Sequence, residues 1–233
     1  VAGHQTGTVT VSFIPAAAGS INDNVVFTSN GGVSTNAVSG VGLTPGRIVV
    51  SPPALDYGVI ATGTTSPRVF VVTNPGGTPV TNGVAQLTAN AYAISSGGNF
   101  TVAGGASANV VVQFAPVAVG GFTNSVLFTS TNGGSSTNTI TGSGAVVPSA
   151  NFTASTTNGA VPLSVIFTNT STGTITNSLW NFGDNATSNT LATIVPHTYA
   201  TAGIFSVTLV ASGPLGISTK TQTNLIVAVN PPR

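Results

Sequence analysis

Polar and apolar residues alternate along much of this chain. Val9, Val11 and Phe13 fall on one side of an extended stretch and Thr8, Thr10 and Ser12 on the other. Leu163, Val165 and Phe167 repeat the arrangement, and Phe205, Val207 and Leu209 alternate with Ser206 and Thr208. A period of two marks a strand with one buried face. Gly, Asn, Ser and Pro break the pattern at roughly eight- to twelve-residue intervals, and strong helix formers are scarce. The pattern predicts an all-β chain of sandwich type. Strands are expected near 8–13, 24–28 and 35–39, then near 47–51, 68–73, 84–88, 92–95, 108–114, 124–129 and 137–141. A last group is expected near 151–155, 163–168, 178–182, 191–195, 204–212, 216–223 and 225–229.

The pattern also recurs on a longer scale. Residues 1–42 return at 102–144 with one inserted residue, Thr131, and 21 of the 42 aligned positions are identical. Such self-similarity points to a tandem array of modules. Only the second repeat has a half-module ahead of it, so the chain is expected to begin inside a module. Three units follow: 1–45, a C-terminal half-module; 46–146, a complete module; and 147–233, of different sequence.

Composition narrows the function. Hydrophobic residues make up 41% of the 233 positions, enough for real cores, but only 3% are charged against roughly 25% in ordinary soluble domains. The cations are Arg47, Arg68, Lys220 and Arg233, scattered singly, and the net charge is +1. No nucleic-acid partner is expected, because phosphate binding needs clustered Lys and Arg. No apolar run reaches the roughly 18 residues of a membrane helix, so no membrane insertion is expected within the segment. Little self-repulsion opposes association between chains. With no Cys there is no disulfide or thiolate chemistry, and with no Met even at position 1 the chain reads as a processed or partial piece.

Two family resemblances rest on motifs. The middle unit carries Leu55-Asp56-Tyr57-Gly58, Val71-Val72-Thr73-Asn74-Pro75-Gly76-Gly77, Phe114-Ala115-Pro116 and Thr141-Gly142-Ser143-Gly144. It resembles the choice-of-anchor D or ASPM-SPD-2-Hydin type of immunoglobulin-like domain, fully over 46–144 and as a C-terminal half over 1–42. The third unit carries Trp180-Asn181-Phe182-Gly183-Asp184-Asn185, then His197-Thr198-Tyr199-Ala200-Thr201-Ala202-Gly203 and the strand Ile204 to Ala211. It resembles a PKD domain, whose motif is Trp-Asp-Phe-Gly-Asp-Gly followed by Tyr-x-x-x-Gly. The resemblances imply tandem immunoglobulin-like β-sandwiches of about seven strands each. They also imply large secreted or surface proteins of bacteria or archaea, with such modules as spacers, adhesion units or stalks.

The catalytic inventory is nearly empty: Asp23, Asp56, Asp184, His4 and His197 are its only carboxylates and imidazoles, and no Gly-x-Ser-x-Gly elbow occurs. No enzyme and no cofactor are expected. Asp184 reads as an Asx cap of its own turn. Calcium is the weaker alternative there, since that ion takes six to eight oxygens and Asn181 and Asn185 depart from the PKD pattern. Trp180 reads as a core residue rather than a sugar platform, and His197 with Tyr199 as a hydrogen-bonded pair. His4 aligns with Gly105, which excludes a role shared by the repeats. An isopeptide bond from Lys220 would need Asp184 as its acid. Asn99, Asn151, Asn169 and Asn185 begin Asn-x-Ser/Thr triplets.

Function is more legible on surfaces. Among outward strand positions, mostly Thr and Ser, stand Val26, Val111, Leu127, Ile166 and Val210, with Val26 and Leu127 equivalent in the repeat. With few charged gatekeepers, lateral or end-to-end packing is favoured. The half-module presents Val9, Val11, Phe13, Val25 and Phe27 with nothing to cover them. The expected role is a structural segment of an extracellular fibre, filament or stalk whose partners are other copies of the chain or adjoining immunoglobulin-like modules. The alternative is an adhesion or glycan-binding accessory of a large secreted surface protein or hydrolase, with a surface glycan as partner.

Overall fold

The computed structural model describes residues 3–88 and 90–232, an all-β arrangement without a helix among them. Val1 and Ala2, which open the repeat, and Arg233 lie outside the described residues, as does Ala89.

Strands β1 (Gly19–Ser29) and β2 (Gly32–Gly42) form an isolated antiparallel hairpin in register from Gly19 opposite Gly42 to Ser29 opposite Gly32. The strand expected near 8–13 does not form. Residues 5–15 carry alternating side chains but no ladder, and a period of two specifies a strand only where another strand supplies hydrogen bonds.

The next nine strands make two facing sheets. They are β3 (Val49–Ser51), β4 (Ala54–Ala61), β5 (Ser66–Thr73), β6 (Val80–Gln86), β7 (Tyr92–Ser96), β8 (Asn99–Val102), β9 (Ser107–Phe114), β10 (Gly120–Thr129) and β11 (Ser135–Ala145). One sheet runs β4-β11-β10-β6-β8 and the other β3-β5-β9-β7. β4 lies parallel to β11, whereas β6 lies antiparallel to β10. The inward residues Phe70, Val72, Val110, Val112, Phe114, Val126, Phe128 and Ile140 are fully buried between the sheets. β4 and β8 were not among the expected strands. β4 is interrupted in pattern by Asp56 and by Gly58, whose φ is 66°.

The last eight strands make a second sandwich: β12 (Phe152–Ala154), β13 (Asn158–Ala160), β14 (Leu163–Asn169), β15 (Asn177–Asn181), β16 (Thr187–Asn189), β17 (Ile194–Tyr199), β18 (Gly203–Gly213) and β19 (Gly216–Val229). Its sheets run β12-β14-β17 and β13-β19-β18-β15-β16. The core centres on Trp180, Phe152, Phe167, Tyr199, Leu209 and Ile226. The strand expected at 191–195 is displaced: residues 190–193 are not in a strand, and pairing resumes where Ile194 meets Thr168. The two final expected strands are one, β19, with a bulge opposite Phe205–Val207.

Candidate functional site

The internal repeat places near-identical sequence in two environments. In the complete module Val110, Val112, Phe114 and Phe128 are 0% exposed, while their counterparts Val9, Val11, Phe13 and Phe27 are 60%, 54%, 47% and 41% exposed. Val25, the counterpart of buried Val126, is half-buried, and Val38, the counterpart of Ile140, likewise. A shallow recess between the 11–13 segment and the hairpin is lined by Val11, Phe13, Ile21, Val38 and Gly40, with Asp23 as its single charge. A two-stranded hairpin is marginally stable alone in water, so this face is the least self-sufficient surface of the described residues.

The identities are not scattered. Twelve aligned positions of 102–144 are buried, and eleven of them carry the same residue in 1–42; the twelfth pairs Ile140 with Val38. Of the thirty other aligned positions, ten are identical. The half-module thus carries the inward residues of a complete sandwich, including Asn36, the counterpart of Asn138. Asn138 is buried and its Nδ2 donates to Pro52 O at 3.2 Å and Pro53 O at 3.1 Å. Asn36 is exposed and donates only to Ser34 Oγ at 3.4 Å.

The segment that leads into each of the two sandwiches is hydrogen-bonded to the sandwich that follows it. Thr44 O accepts from Gly77 N and Thr78 N, both at 3.0 Å, and Gly46 N donates to Thr78 Oγ1 at 2.7 Å. At the second joint Val146 N donates to Thr174 Oγ1 at 2.9 Å, Thr174 N donates to Val146 O at 2.8 Å, and Ser149 and Thr172 exchange two backbone bonds.

The outward positions divide. Val26, Leu127 and Ile166 are exposed, whereas Val111 and Val210 are half-buried within their sheets. Val111 stands opposite Val69 and Val210 opposite Leu179, both exposed at their surfaces.

The polar residues of the last unit are engaged locally. Asp184 Oδ1 accepts from Ala186 N at 3.1 Å, the turn cap its sequence suggested, and Oδ2 meets His197 Nε2 at 2.7 Å. His197 does not hydrogen-bond Tyr199. The two rings meet edge to face at 4.7 Å, His197 stacks on Phe182 at 4.1 Å, and Tyr199 Oη donates to Phe182 O at 3.0 Å. Sequence placed His197 and Tyr199 on one face but could not see that the Asp184 turn reaches the same spot. No group of three His, Asp or Glu gathers among the described residues, and the two contacts of Asp184 are to Ala186 and His197. Trp180 is fully buried, its Nε1 without a partner. Lys220 is exposed on β19, opposite Leu209.

Burial raises the phenols. Tyr57 and Tyr92 are each pushed up to about 12, by burial first, then by each neighbouring negative charge: the Tyr92 phenolate for Tyr57, Asp56 for Tyr92. Tyr199 rises well above the ordinary tyrosine range, again by burial and then by Asp184. The hub that sequence reasoning missed is Asn74, fully buried. Its Oδ1 accepts from Arg47 N and Gly76 N, both at 3.0 Å, and its Nδ2 donates to Thr78 O, Val102 O and Ala103 O. An Asn followed by Pro-Gly-Gly between apolar runs is the signal that could have marked it.

Residues 145–228 match the family profile of the PKD domain. No curated protein matches the chain. Among solved structures, a three-immunoglobulin segment of titin, domains I67–I69 in an E-to-A variant, superposes with a TM-score of 0.50 at 10% identity, covering 91% of this chain and 75% of that one. A Methanosarcina mazei solution structure is 34% identical over 35% of this chain and 55% of its own, with a TM-score of 0.29. The ASH/PapD-like domain 7 of human CEP192 covers 43% of this chain and 87% of its own at 13% identity, with a TM-score of 0.38. The chain is an all-β tandem of sandwich units with the immunoglobulin-like fold, and its last unit, residues 145–228, matches the PKD profile.

Proposed function

We propose that the chain is a structural segment of an extracellular fibre, filament or surface stalk of stacked immunoglobulin-like modules. Its half-module is completed by preceding residues or by a neighbouring copy, and its middle module is of the choice-of-anchor D type. The observation that carries this reading is the pairing of one inward residue set with two environments, buried at 102–144 and bare at 5–42. Covering each bare side chain is worth roughly 1.5–3 kcal/mol, a drive toward completion that a surface with 3% charged residues does not oppose.

The glycan-binding alternative has little to stand on among the described residues, because Trp180, Tyr57, Tyr92 and Tyr199 are all buried in cores. Electron microscopy of the native material tests the proposal. Regular filaments or stalks of stacked modules are expected; isolated flexible beads that bind a glycan array without assembling would overturn it.

A further inference from the structure

We infer that the bare face of the β1–β2 hairpin takes one kind of partner: the N-terminal half of an immunoglobulin-like module patterned like residues 46–102. That half straddles the hairpin, with a parallel strand along β2 and an antiparallel strand along β1. The inference rests on the stacked-module reading above and names what completes the open module.

The face is already shaped for that partner. The Phe13 ring lies against Gly40, where a Cβ would meet it at 2.8 Å, as Phe114 lies against Gly142 at 2.7 Å. Ala17 O closes over Gly42 as Ala118 O closes over Gly144. His4 and its counterpart Gly105 both hold left-handed backbone, φ 60° and 74°, and Gly19 and Gly120 share φ values of 127° and 128°. At these close approaches and turns the half-module keeps the complete module's local geometry, although residues 5–15 lack the ladder of β9, and a preformed shape selects for what fits it.

Both edges have a known complement in the second repeat. β4 runs parallel to β11 with Ala54 opposite Thr139, Leu55 opposite Ile140 and Asp56 opposite Thr141; the corresponding positions on β2 are Ala37, Val38 and Ser39. Thr141 Oγ1 donates to Asp56 Oδ1 at 3.3 Å, and the Ser39 hydroxyl can supply the same bond. β6 runs antiparallel to β10 at Leu127, Phe128 and Thr129, which correspond to Val26, Phe27 and Thr28. Asn36 completes the set as a donor facing the place where a Pro-Pro corner like Pro52-Pro53 would bring two carbonyls.

The chain's own 46–102 half cannot be that partner. Were β2 to take the place of β11, Leu43 would stand beside Ala61, as Ala145 does. Ile48 would still lie at the far end of the strand, where its N–H donates to Gly133 O at 2.9 Å. The length of β11 alone, Ser135–Ala145, is roughly 33 Å at about 3.3 Å per residue, whereas the five steps from Leu43 to Ile48 reach at most about 18 Å.

The test is a chain in which a second copy of residues 46–101 is joined directly ahead of Val1, which aligns with Val102. It is compared with the unaltered chain by amide hydrogen exchange and calorimetry, each with and without Asn36→Ala. Exchange in β1 and β2 is expected to slow by about a hundredfold or more, and a third unfolding transition to appear. Asn36→Ala should lower that transition by about 5–10 °C and leave the unaltered chain unchanged; Phe27→Asp should abolish it. Unslowed exchange in the hairpin while β10 and β11 stay protected would overturn the inference. So would equal effects of Asn36→Ala in both chains, or an unaltered chain whose hairpins already protect each other in a face-to-face dimer. These readouts need no filament, so failure of the stalk reading in microscopy leaves them separately decisive.

Discussion

Phe27 and Phe128 are the same residue of the repeat in opposite environments, and truncating each to Ala makes a matched experiment. Phe128 is 0% exposed and meets the Phe70 ring edge to face at 5.4 Å. Removing it deletes a buried ring and leaves a cavity between two sheets, at a cost of about 3–5 kcal/mol. For a sandwich of this size each kcal/mol moves the midpoint by about 4–8 °C, so the middle module should melt roughly 15 °C lower or more. Phe27 is 41% exposed and has no opposing sheet. Its truncation opens no cavity and should leave both complete modules within about 0.5 kcal/mol of their original stability. Differential scanning calorimetry reads both transitions, and Trp180 fluorescence reports the last unit separately as an internal control. Comparable losses from Phe27→Ala and Phe128→Ala would refute the reasoning, because Phe27 would then be buried in the isolated chain.

Three further outcomes follow from the buried polar groups. Asn74→Asp exchanges an amide that donates to three carbonyls for a carboxylate that repels them; a loss of roughly 3 kcal/mol or more of middle-module stability is expected in urea denaturation, and a neutral result would show that the hub is not closed in solution. Trp180→Phe removes an Nε1 that finds no partner and should cost the last unit much less than the 3–5 kcal/mol expected of Trp180→Ala, as read by circular dichroism. Tyr57 and Tyr92 titrate near 12 when folded against 10.0 unfolded, so their contribution is whole below about pH 10 and fades as pH rises toward about 12, by up to about 1.4 kcal/mol per pH unit for each phenol. Tyrosinate absorbance that rises near pH 10 in chain still folded would contradict this.

Much of the fold was legible because alternation and punctuation are local. Leu163, Val165 and Phe167 read inward from sequence and are buried in β14; Phe205, Val207 and Leu209 line β18 on the core side, although Phe205 is only half-buried. What escaped depends on partners distant in sequence. Residues 8–13 have the pattern of a strand but no neighbour to pair with, and β4 forms despite Asp56 and Gly58 because β11 lies alongside it. The Asp184–His197 contact joins a turn to a strand across thirteen residues, and Asn74 collects groups from Arg47 to Ala103. A motif shows that such a residue is special without showing what it holds.

The half-module reverses this relation, since there the sequence says more than the described structure can satisfy. Eleven of the twelve positions buried in the second repeat hold the same residue in the first, including an Asn whose two long-range acceptors exist only in a covered module. A free half-module has no physical use for Phe13, Val25, Phe27 and Asn36 in that arrangement. Solvated β-ribbons do better with polar residues on both faces, and an exposed apolar face carries the hazard of uncontrolled edge pairing. The pattern is accounted for when the face is covered by the half-sandwich that covers its twin. A single residue, Asn36, distinguishes a covered half-module from a bare one by whether its replacement is felt.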